Sequence, residues 1–365
     1  MPYLSRQIKL IRGLLDGEAA YSGPFYVDVD LTRRCNMHCL GCPTHSSVTR
    51  MPPPGDQTLL DAPMDLIEKL GGSLGRLGTA HVYLKGLGEP LLYVHWLDAI
   101  SVFKRAGCRV ELFSNGTLID SEAAARLLDS GLDVLRVSLW ANNEQEYEKL
   151  YPGTPISTFH RTLDNVRRVT RLKAERSATL PTVILTTPLN RHNYQSTMQR
   201  AELAHRLGCD GVAFDYYRDW DEFTSAALSA QETQALCKDL ERAKARLESL
   251  SLQHNVEQIL LQYRLREAAQ PETPCYVGWY YSRMRLDGTI VPCPPCSLAM
   301  GNLKEASFEA IWNGAAYRSF RAKASSPQGL ASLSEHCDCK WCCNARDNLR
   351  VHRRFKWVSP LSRRW

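Results

Sequence analysis

Short apolar runs alternate with amphipathic stretches as far as residue 217, and this alternation predicts parallel βα units. The predicted strands lie near residues 25–31, 81–86, 109–114, 133–139, 182–187 and 211–216. The predicted helices cover residues 57–77, 93–106, 121–130, 144–150, 158–176 and 195–207. Six such units in succession predict an α/β fold built on parallel strands.

The pattern changes after Tyr217. Residues 229–268 carry long, charged helical segments with no predicted strand between them. A cysteine-rich stretch from Cys275 to about Cys343 then contains two strand-like runs joined by Asp287-Gly288, a strong hairpin signal. The start of the chain predicts a short amphipathic helix, because apolar residues recur there at helical spacing: Leu4, Ile8, Ile11, Leu14 and Leu15.

Composition places the chain among globular proteins, since 44% of its 365 residues are hydrophobic and 23% are charged. It has no apolar run of about eighteen residues that would span a membrane. The first twenty residues lack the apolar core and cleavage site of a secretion signal. The 13 cysteines therefore indicate metal or redox chemistry in a reducing cytoplasm rather than disulfides.

The net charge of +6 is concentrated at the end of the sequence. Residues 345–365 carry seven Lys/Arg against one Asp, with Phe355, Trp357 and Trp365 between them. Such a stretch could contact an anionic membrane surface or an acidic partner, or could be a solvated terminus. A nucleic-acid-binding module would spread its basic residues over the folded domains, so we expect no nucleic-acid partner.

Three cysteines follow the first predicted strand directly. Cys35, Cys39 and Cys42 have the spacing Cys-x3-Cys-x2-Cys. Three thiolates on one loop can hold three irons of a [4Fe–4S] cluster and leave the fourth iron open to a small molecule. Structural zinc sites instead use four ligands, commonly as two Cys-x2-Cys pairs. The spacing therefore indicates an iron–sulfur cluster.

Further motifs end the next three strands, and with the cysteines they resemble the radical S-adenosylmethionine (SAM) enzymes. They are Gly86-Leu87-Gly88-Glu89-Pro90, Ser114-Asn115-Gly116-Thr117 and Val137-Ser138-Leu139-Trp140. The resemblance implies a partial (β/α)6 TIM-like barrel, with the functional loops at the carboxyl ends of its strands. It also implies a SAM site formed by Gly86, Gly88, Glu89, Ser114, Asn115 and Ser138. Gly41 departs from the family, which usually has an aromatic residue near adenine at that position.

A second set of cysteines follows the helical segments: Cys275, Cys293, Cys296, Cys337, Cys339, Cys342 and Cys343. This stretch resembles the SPASM/Twitch module, which holds an auxiliary [4Fe–4S] cluster. The resemblance lies in the order of its parts, which are a cysteine, a hairpin, a second cysteine, a helix and a Cys-x2-Cys pair. The resemblance implies a small α+β cysteine-rich module with the ligands Cys275, Cys293, Cys339 and Cys342. Cys296, Cys337 and Cys343 could replace one of these or belong to a second auxiliary cluster, and a four-cysteine zinc site stays open.

We expect five parts in the chain. They are an amphipathic helix (1–20), the radical SAM barrel (21–228), a helical connection (229–274), the SPASM/Twitch-like module (275–345) and a basic aromatic tail (346–365).

The resemblance implies cleavage of SAM to a 5′-deoxyadenosyl radical, which takes hydrogen from a substrate. Only 34 residues precede Cys35, too few for a peptide-recognition domain, so we expect a small polar substrate such as a sugar or aminocyclitol. The acidic and aromatic residues 215–221 could line its site. We expect net oxidation through the auxiliary cluster, with a flavodoxin or ferredoxin as external reductant.

Three other functions stay open: a radical epimerase with a cysteine hydrogen donor, a peptide-modifying maturase, and an iron–sulfur electron-transfer protein. Cys108 and Cys209 each precede a strand and would lie at the wrong end of the barrel for a donor. The sequence identifies no catalytic residue.

Overall fold

The computed structural model describes residues 2–46, 58–217, 226–267 and 273–355, apart from 338, 340 and 341. The proline-rich segment at residues 51–55, residues 218–221 and the second half of the basic tail, residues 356–365, lie outside the described residues.

Ten strands form one sheet in the order β10-β9-β8-β1-β2-β3-β4-β5-β6-β7. They are β1 Tyr26–Asp30, β2 His81–Lys85, β3 Arg109–Ser114, β4 Val134–Ser138, β5 Thr182–Leu189, β6 Gly211–Tyr216, β7 Gln253–His254, β8 Tyr281–Met284, β9 Thr289–Val291 and β10 Gly301–Asn302. All neighbouring pairs from β8 to β7 are parallel, and the two β9 pairs are antiparallel.

The helices mostly follow the strands as the sequence predicts. They are α1 Pro2–Asp16, α2 Met64–Leu77, α3 Trp96–Arg105, α4 Ser121–Asp129, α5 Glu144–Leu150, α6 Ile156–Glu175, α7 Thr197–Arg206, α8 Ala230–Ser249, α9 Val256–Glu267, α10 Val277–Tyr280, α11 Phe308–Trp312, α12 Ala315–Ala324, α13 Pro327–Ala331 and α14 Ala345–Phe355. Among the described residues, none of these is long and apolar enough to cross a bilayer.

The six predicted strands are confirmed as β1 to β6, and one prediction about the following region was wrong. β7 lies between α8 and α9, where we expected no strand, and Gln253 pairs with Gly211 of β6. Both residues of β7 are polar, so no apolar alternation marks them. A Cβ on Gly211 would lie 2.4 Å from the Gln253 carbonyl oxygen, so this close pairing needs glycine.

The cysteine-rich hairpin is continuous with the barrel sheet. Gly288 has a φ of +82° at the hairpin turn, as the Asp-Gly signal predicts. The first hairpin strand, β8, pairs in parallel with β1 in the register Val27 with Ser282 and Val29 with Met284. The auxiliary module therefore extends the barrel wall.

The two faces of the barrel strands differ in polarity. Val27 and Val29 of β1 are fully buried in the apolar core, together with Val82 and Leu84, their counterparts on β2. The alternate residues carry charge and pair between strands. Arg283 donates hydrogen bonds of 2.8, 3.0 and 3.2 Å to Asp30. Lys85 pairs with Asp28, and Arg136 donates to Glu111 over 2.6 Å. The barrel therefore encloses a polar interior.

We expect Arg283→Leu to lower the free energy of unfolding by about 3–5 kcal/mol, because it leaves the buried Asp30 carboxylate without its partner. Asp30 is fully buried and the Arg283 side chain is 14% exposed. The matched control is Arg126→Leu, which removes an exposed pair with Glu122 and should cost less than about 1 kcal/mol. Urea denaturation measures the free energy of unfolding of both variants. Equal losses in the two variants would contradict the assignment of Asp30–Arg283 as a buried ion pair.

Candidate functional site

The loop that carries the first three cysteines leaves the carboxyl end of β1. Cys35, Cys39 and Cys42 are all partly buried, and the Cys42 amide donates to the Cys39 carbonyl over 3.0 Å. The base of the loop is anchored at Asp61, whose carboxylate accepts hydrogen bonds from the Thr32 hydroxyl (2.6 Å) and the Arg34 Nε (3.2 Å). The three thiols thus lie on a short loop fixed at the predicted edge of the sheet.

Gly86 and Gly88, after β2, let two backbones approach each other. A Cβ on Gly88 would lie 2.1 Å from the Arg34 carbonyl oxygen, and one on Gly86 would lie 2.6 Å from that of Thr32. No side chain fits at either position. The glycines therefore support the cysteine loop through close backbone packing, a role in addition to the one expected for them at SAM.

Glu89 links the first three motifs. Its amide donates to the Arg34 carbonyl over 2.8 Å, beside the first cysteine. Its carboxylate, 2% exposed, accepts hydrogen bonds from the Ser114 hydroxyl (2.7 Å), the Asn115 amide (2.6 Å) and the Leu91 amide (3.1 Å). Burial raises the pKa of this carboxyl, and the three hydrogen bonds oppose that change. Glu89 is thus both the cap of the following turn and the connection between the loops after β2 and β3.

Asn36 and Thr117 belong to the same network, although the sequence singled out neither as a SAM-site residue and marked Thr117 only as the end of a motif. The Asn115 Nδ2 donates to the Asn36 Oδ1 over 2.8 Å, and the Asn36 Nδ2 donates to the Thr117 hydroxyl over 2.8 Å. Asn36 lies between the first two cysteines, a position that could have drawn attention to it. The loop after β3 is thereby joined directly to the cysteine loop.

The volume beside Gly41 is occupied by Tyr217, which follows β6. A Cβ at residue 41 would lie 2.3 Å from the Tyr217 Cε2. The Tyr217 ring also meets Trp140 edge-on, with ring centroids 6.4 Å apart. A side chain at residue 41 is therefore excluded, and an aromatic pair from the segments that follow β4 and β6 borders the cysteine loop instead. No local signal in the sequence marks Tyr217 for this place.

Ser138 ends β4 at the same edge of the sheet and is partly buried. Its carbonyl accepts a hydrogen bond of 3.3 Å from the Tyr151 hydroxyl, which in turn accepts one from the Trp140 amide. The predicted SAM-site residues thus lie on consecutive loops at one edge of the parallel strands.

The second cysteine set gathers at the opposite edge. Cys275 precedes α10 and β8, and Cys293 follows β9, which runs antiparallel to β8. The Asn348 Nδ2 on α14 lies 3.9 Å from the sulfurs of both Cys275 and Cys342. Cys339 and the exposed Cys343 lie beside them, since their charges contribute to raising the pKa of Cys275. Burial and the charges of the same thiols raise the pKa of Cys293 as well, so the four predicted ligands lie in one region, with Cys343 as a fifth thiol.

Two of the remaining cysteines form a disulfide, contrary to the expectation that the chain would have none. Cys296 and Cys337 are bonded to each other, and their Cα atoms are 4.1 Å apart. The two residues face each other in an isolated antiparallel bridge, which brings the side chains together. The other 11 cysteines are free.

The residue environments fit iron–sulfur clusters at both places. Burial raises the pKa of Cys35 to about 11 and that of Cys275 to about 12, and it raises the pKa of Cys39, Cys293 and Cys342 well above the usual thiol range. Converging thiols in such places become thiolates when cationic irons compensate their charge. The first site offers three thiols and the second at least four.

Comparison with known proteins supports the same assignment. A family model described as the radical SAM superfamily matches residues 29–204, from β1 to α7. The chain therefore contains a radical SAM domain over these residues. A second model, described as an iron–sulfur cluster-binding domain (SPASM), matches residues 275–343. The two domains imply [4Fe–4S] clusters at the two cysteine sites and SAM as cofactor.

Relatives cover most of the chain at low identity. The AdoMet-dependent heme synthase of Methanosarcina barkeri is 25% identical over 89% of this chain and 91% of its own length. The PqqA peptide cyclase of Gluconobacter oxydans is 24% identical over 80% of this chain and 77% of its own. The structure of Streptococcus suis SuiB bound to S-adenosylmethionine superposes on 82% of this chain and 68% of its own, with a TM-score of 0.63 and 13% identity. That superposition shows that the two chains share the same α/β fold.

We expect Gly88→Ala to lose the cluster of the radical SAM domain while keeping the auxiliary one. Its methyl group would collide with the Arg34 carbonyl and displace the loop that carries Cys35. After anaerobic reconstitution, iron should fall from about eight to about four per chain, as for the loss of one four-iron cluster. The matched control is Gly72→Ala, whose Cβ would meet nothing closer than 3.5 Å and which should keep all the iron. Unchanged iron in Gly88→Ala would contradict this account.

Proposed function

We propose that this protein is a radical SAM oxidoreductase that takes hydrogen from a small polar substrate bound in the barrel and oxidises it. Cys35, Cys39 and Cys42 would hold the first cluster, which in its reduced form would supply the electron for the reductive cleavage of SAM. The protein's own residues bind and orient the reactants and exclude water. An external reductant of the flavodoxin or ferredoxin type would supply that electron.

The polar interior between the two cysteine sites is the observation that carries this proposal. The pairs Asp30–Arg283, Asp28–Lys85 and Glu111–Arg136 line it. These groups present hydrogen-bond donors and acceptors that suit hydroxyl, amine or carboxylate groups. An apolar substrate would leave them without polar partners, at a cost in free energy.

Asp215 on β6 is the acidic group that we assign to the substrate. Its side chain is exposed, and its carboxylate lies in the electrostatic field of Arg136 and Lys85. Enclosure by the barrel raises its pKa, and the two cations oppose that shift. Asp215 can accept a hydrogen bond from a substrate hydroxyl or amine.

The position of the buried cysteines favours oxidation over epimerisation, which needs a thiol hydrogen donor. Cys108 and Cys209 precede β3 and β6 and are 2% and 6% exposed. They lie at the strand ends away from the SAM-site loops, as the sequence predicts. Cys108 makes a long hydrogen bond to the Thr79 carbonyl there. Both are core residues that cannot reach a substrate at the SAM-site edge.

A peptide substrate is the second candidate. The match with a PqqA peptide cyclase over 80% of this chain favours it. A peptide could reach the same polar interior through its side chain. The two candidates differ in the size and the protease sensitivity of the molecule that stimulates SAM cleavage.

We expect reduced, reconstituted protein to form 5′-deoxyadenosine and methionine from SAM with dithionite as reductant. Cys42→Ala should reduce the formation of both products to background, because it removes one of the three ligands of the first cluster. Cys275→Ala should still form both products. Liquid chromatography with mass spectrometry measures both products. Equal loss in the two variants would contradict the separate roles of the sites.

The substrate class follows from the same assay. An ultrafiltrate of small metabolites should accelerate 5′-deoxyadenosine formation by the wild-type protein, and protease treatment of the ultrafiltrate should not change this effect. Asp215→Asn should keep the rate without substrate and lose the acceleration. Stimulation that protease treatment abolishes would overturn the small-molecule proposal in favour of a peptide.

A further inference from the structure

The last described helix, α14, has two opposite faces with different chemistry. Its inner side contacts the auxiliary site: Asn348 lies 3.9 Å from the Cys275 and Cys342 sulfurs, and its Oδ1 accepts a 2.9 Å hydrogen bond from the Tyr276 amide. One turn later, the His352 Nδ1 lies 3.0 Å from the Tyr276 hydroxyl. α14 is therefore fixed to the auxiliary site by its inner face.

The outer face of α14 is strongly cationic. Arg346, Arg350, Arg353 and Arg354 recur at the spacing i, i+4, i+7 and i+8, which places them on one stripe of the helix. Arg350, Arg353 and Arg354 are exposed. Asp347 is the one acidic residue of this helix, and it pairs with both Arg346 (3.2 Å) and Arg350 (3.7 Å). The stripe thus keeps a net positive charge beside the auxiliary cysteines.

A cavity of about 170 Å³ borders this stripe. Its cationic lining is Arg6, Arg350 and Arg354, and aromatic side chains form much of the rest: Phe25, Tyr26, Trp279 and Tyr280. The Arg6 guanidinium lies 4.6 Å from the centre of the Phe25 ring. An apolar depression with a cationic rim is a typical anatomy for a protein docking surface.

The exposed Cys343 adds a functional reason for a partner at this place. It adjoins Cys342 in sequence and is exposed, so the auxiliary site lies near the protein surface. An electron can pass between proteins where a redox centre and a docking surface meet. A partner that recognises this surface must be acidic and must carry single electrons.

We propose that the arginine stripe of α14 and the adjoining cavity are the docking site of an acidic one-electron carrier protein of the flavodoxin or ferredoxin class. In the oxidation, the substrate radical loses one proton to solvent and one electron to the auxiliary site. The oxidised carrier docked at α14 accepts that electron and is reduced by one electron. This inference rests on the proposed function for the direction of the electron, whereas docking itself can be measured without turnover.

Isothermal titration calorimetry of the reconstituted protein with an oxidised flavodoxin tests the docking. We expect Arg350→Glu/Arg353→Glu/Arg354→Glu to weaken binding by at least roughly tenfold at low ionic strength, since three cations of the stripe become repulsive. Added salt should weaken wild-type binding in the same direction. The matched control is Arg167→Glu/Arg171→Glu/Arg176→Glu, on α6 and at the residue that caps its carboxyl end, three exposed arginines that should leave the affinity unchanged.

The conservative variant Arg350→Lys/Arg353→Lys/Arg354→Lys should keep most of the affinity for flavodoxin, because the charge of the stripe is preserved. Arg353→Glu/Arg354→Glu gives a second test if the triple variant folds poorly. Any of three results would overturn the proposal. The stripe variant could bind flavodoxin as tightly as the wild type, the α6 control could lose as much affinity as the stripe variant, or the wild type could fail to bind. If the stripe variant lost binding to phosphatidylglycerol vesicles but bound flavodoxin as tightly as the wild type, that result would also overturn the proposal, in favour of a membrane surface.

The failure of docking can be distinguished from the failure of the proposed function. Dithionite needs no docking site, so the stripe variant should form 5′-deoxyadenosine with dithionite as fast as the wild type. Absence of that product in the wild type would refute the proposed function while the calorimetric result for docking still stands.

Discussion

The parallel pairing of β1 with β8 is the constraint on which both cysteine sites depend. β1 leads into the loop of Cys35, and Cys275 precedes β8. Because the two strands run in the same direction, these cysteines lie at opposite edges of one sheet. The buried ion pair between Asp30 and Arg283 joins the same two strands from the barrel interior. One strand pairing thus places the polar interior between two redox sites.

At the SAM-site edge, the loops after the strands hold one another in place. Glu89 receives hydrogen bonds from the loop after β3 and donates one to the cysteine loop, while Asn36 and Asn115 join those loops again. Gly88 is needed because its backbone lies against that of Arg34. The site is therefore built largely from backbone contacts that bulkier residues would block. Such loops are organised before a ligand arrives, which reduces the entropy cost of binding.

The sequence was informative wherever local chemistry carries the signal. Strand positions follow from apolar runs, the first three cysteines from their spacing, and the hairpin from Asp287-Gly288. It was uninformative about contacts between distant segments. Nothing local shows that β8 joins β1, that Tyr217 occupies the space beside Gly41, or that Cys296 meets Cys337. β7 was missed because two polar residues pair through their backbones alone.

The central claim is that two iron–sulfur sites lie on opposite edges of one sheet with a polar interior between them. Crystals grown without oxygen from reconstituted protein, measured with X-rays at the iron absorption edge, test it most directly. The account predicts two separate anomalous peaks, one beside Cys35, Cys39 and Cys42 and the other beside Cys275 and Cys342. A single peak, or two peaks at the same edge of the sheet, would contradict it.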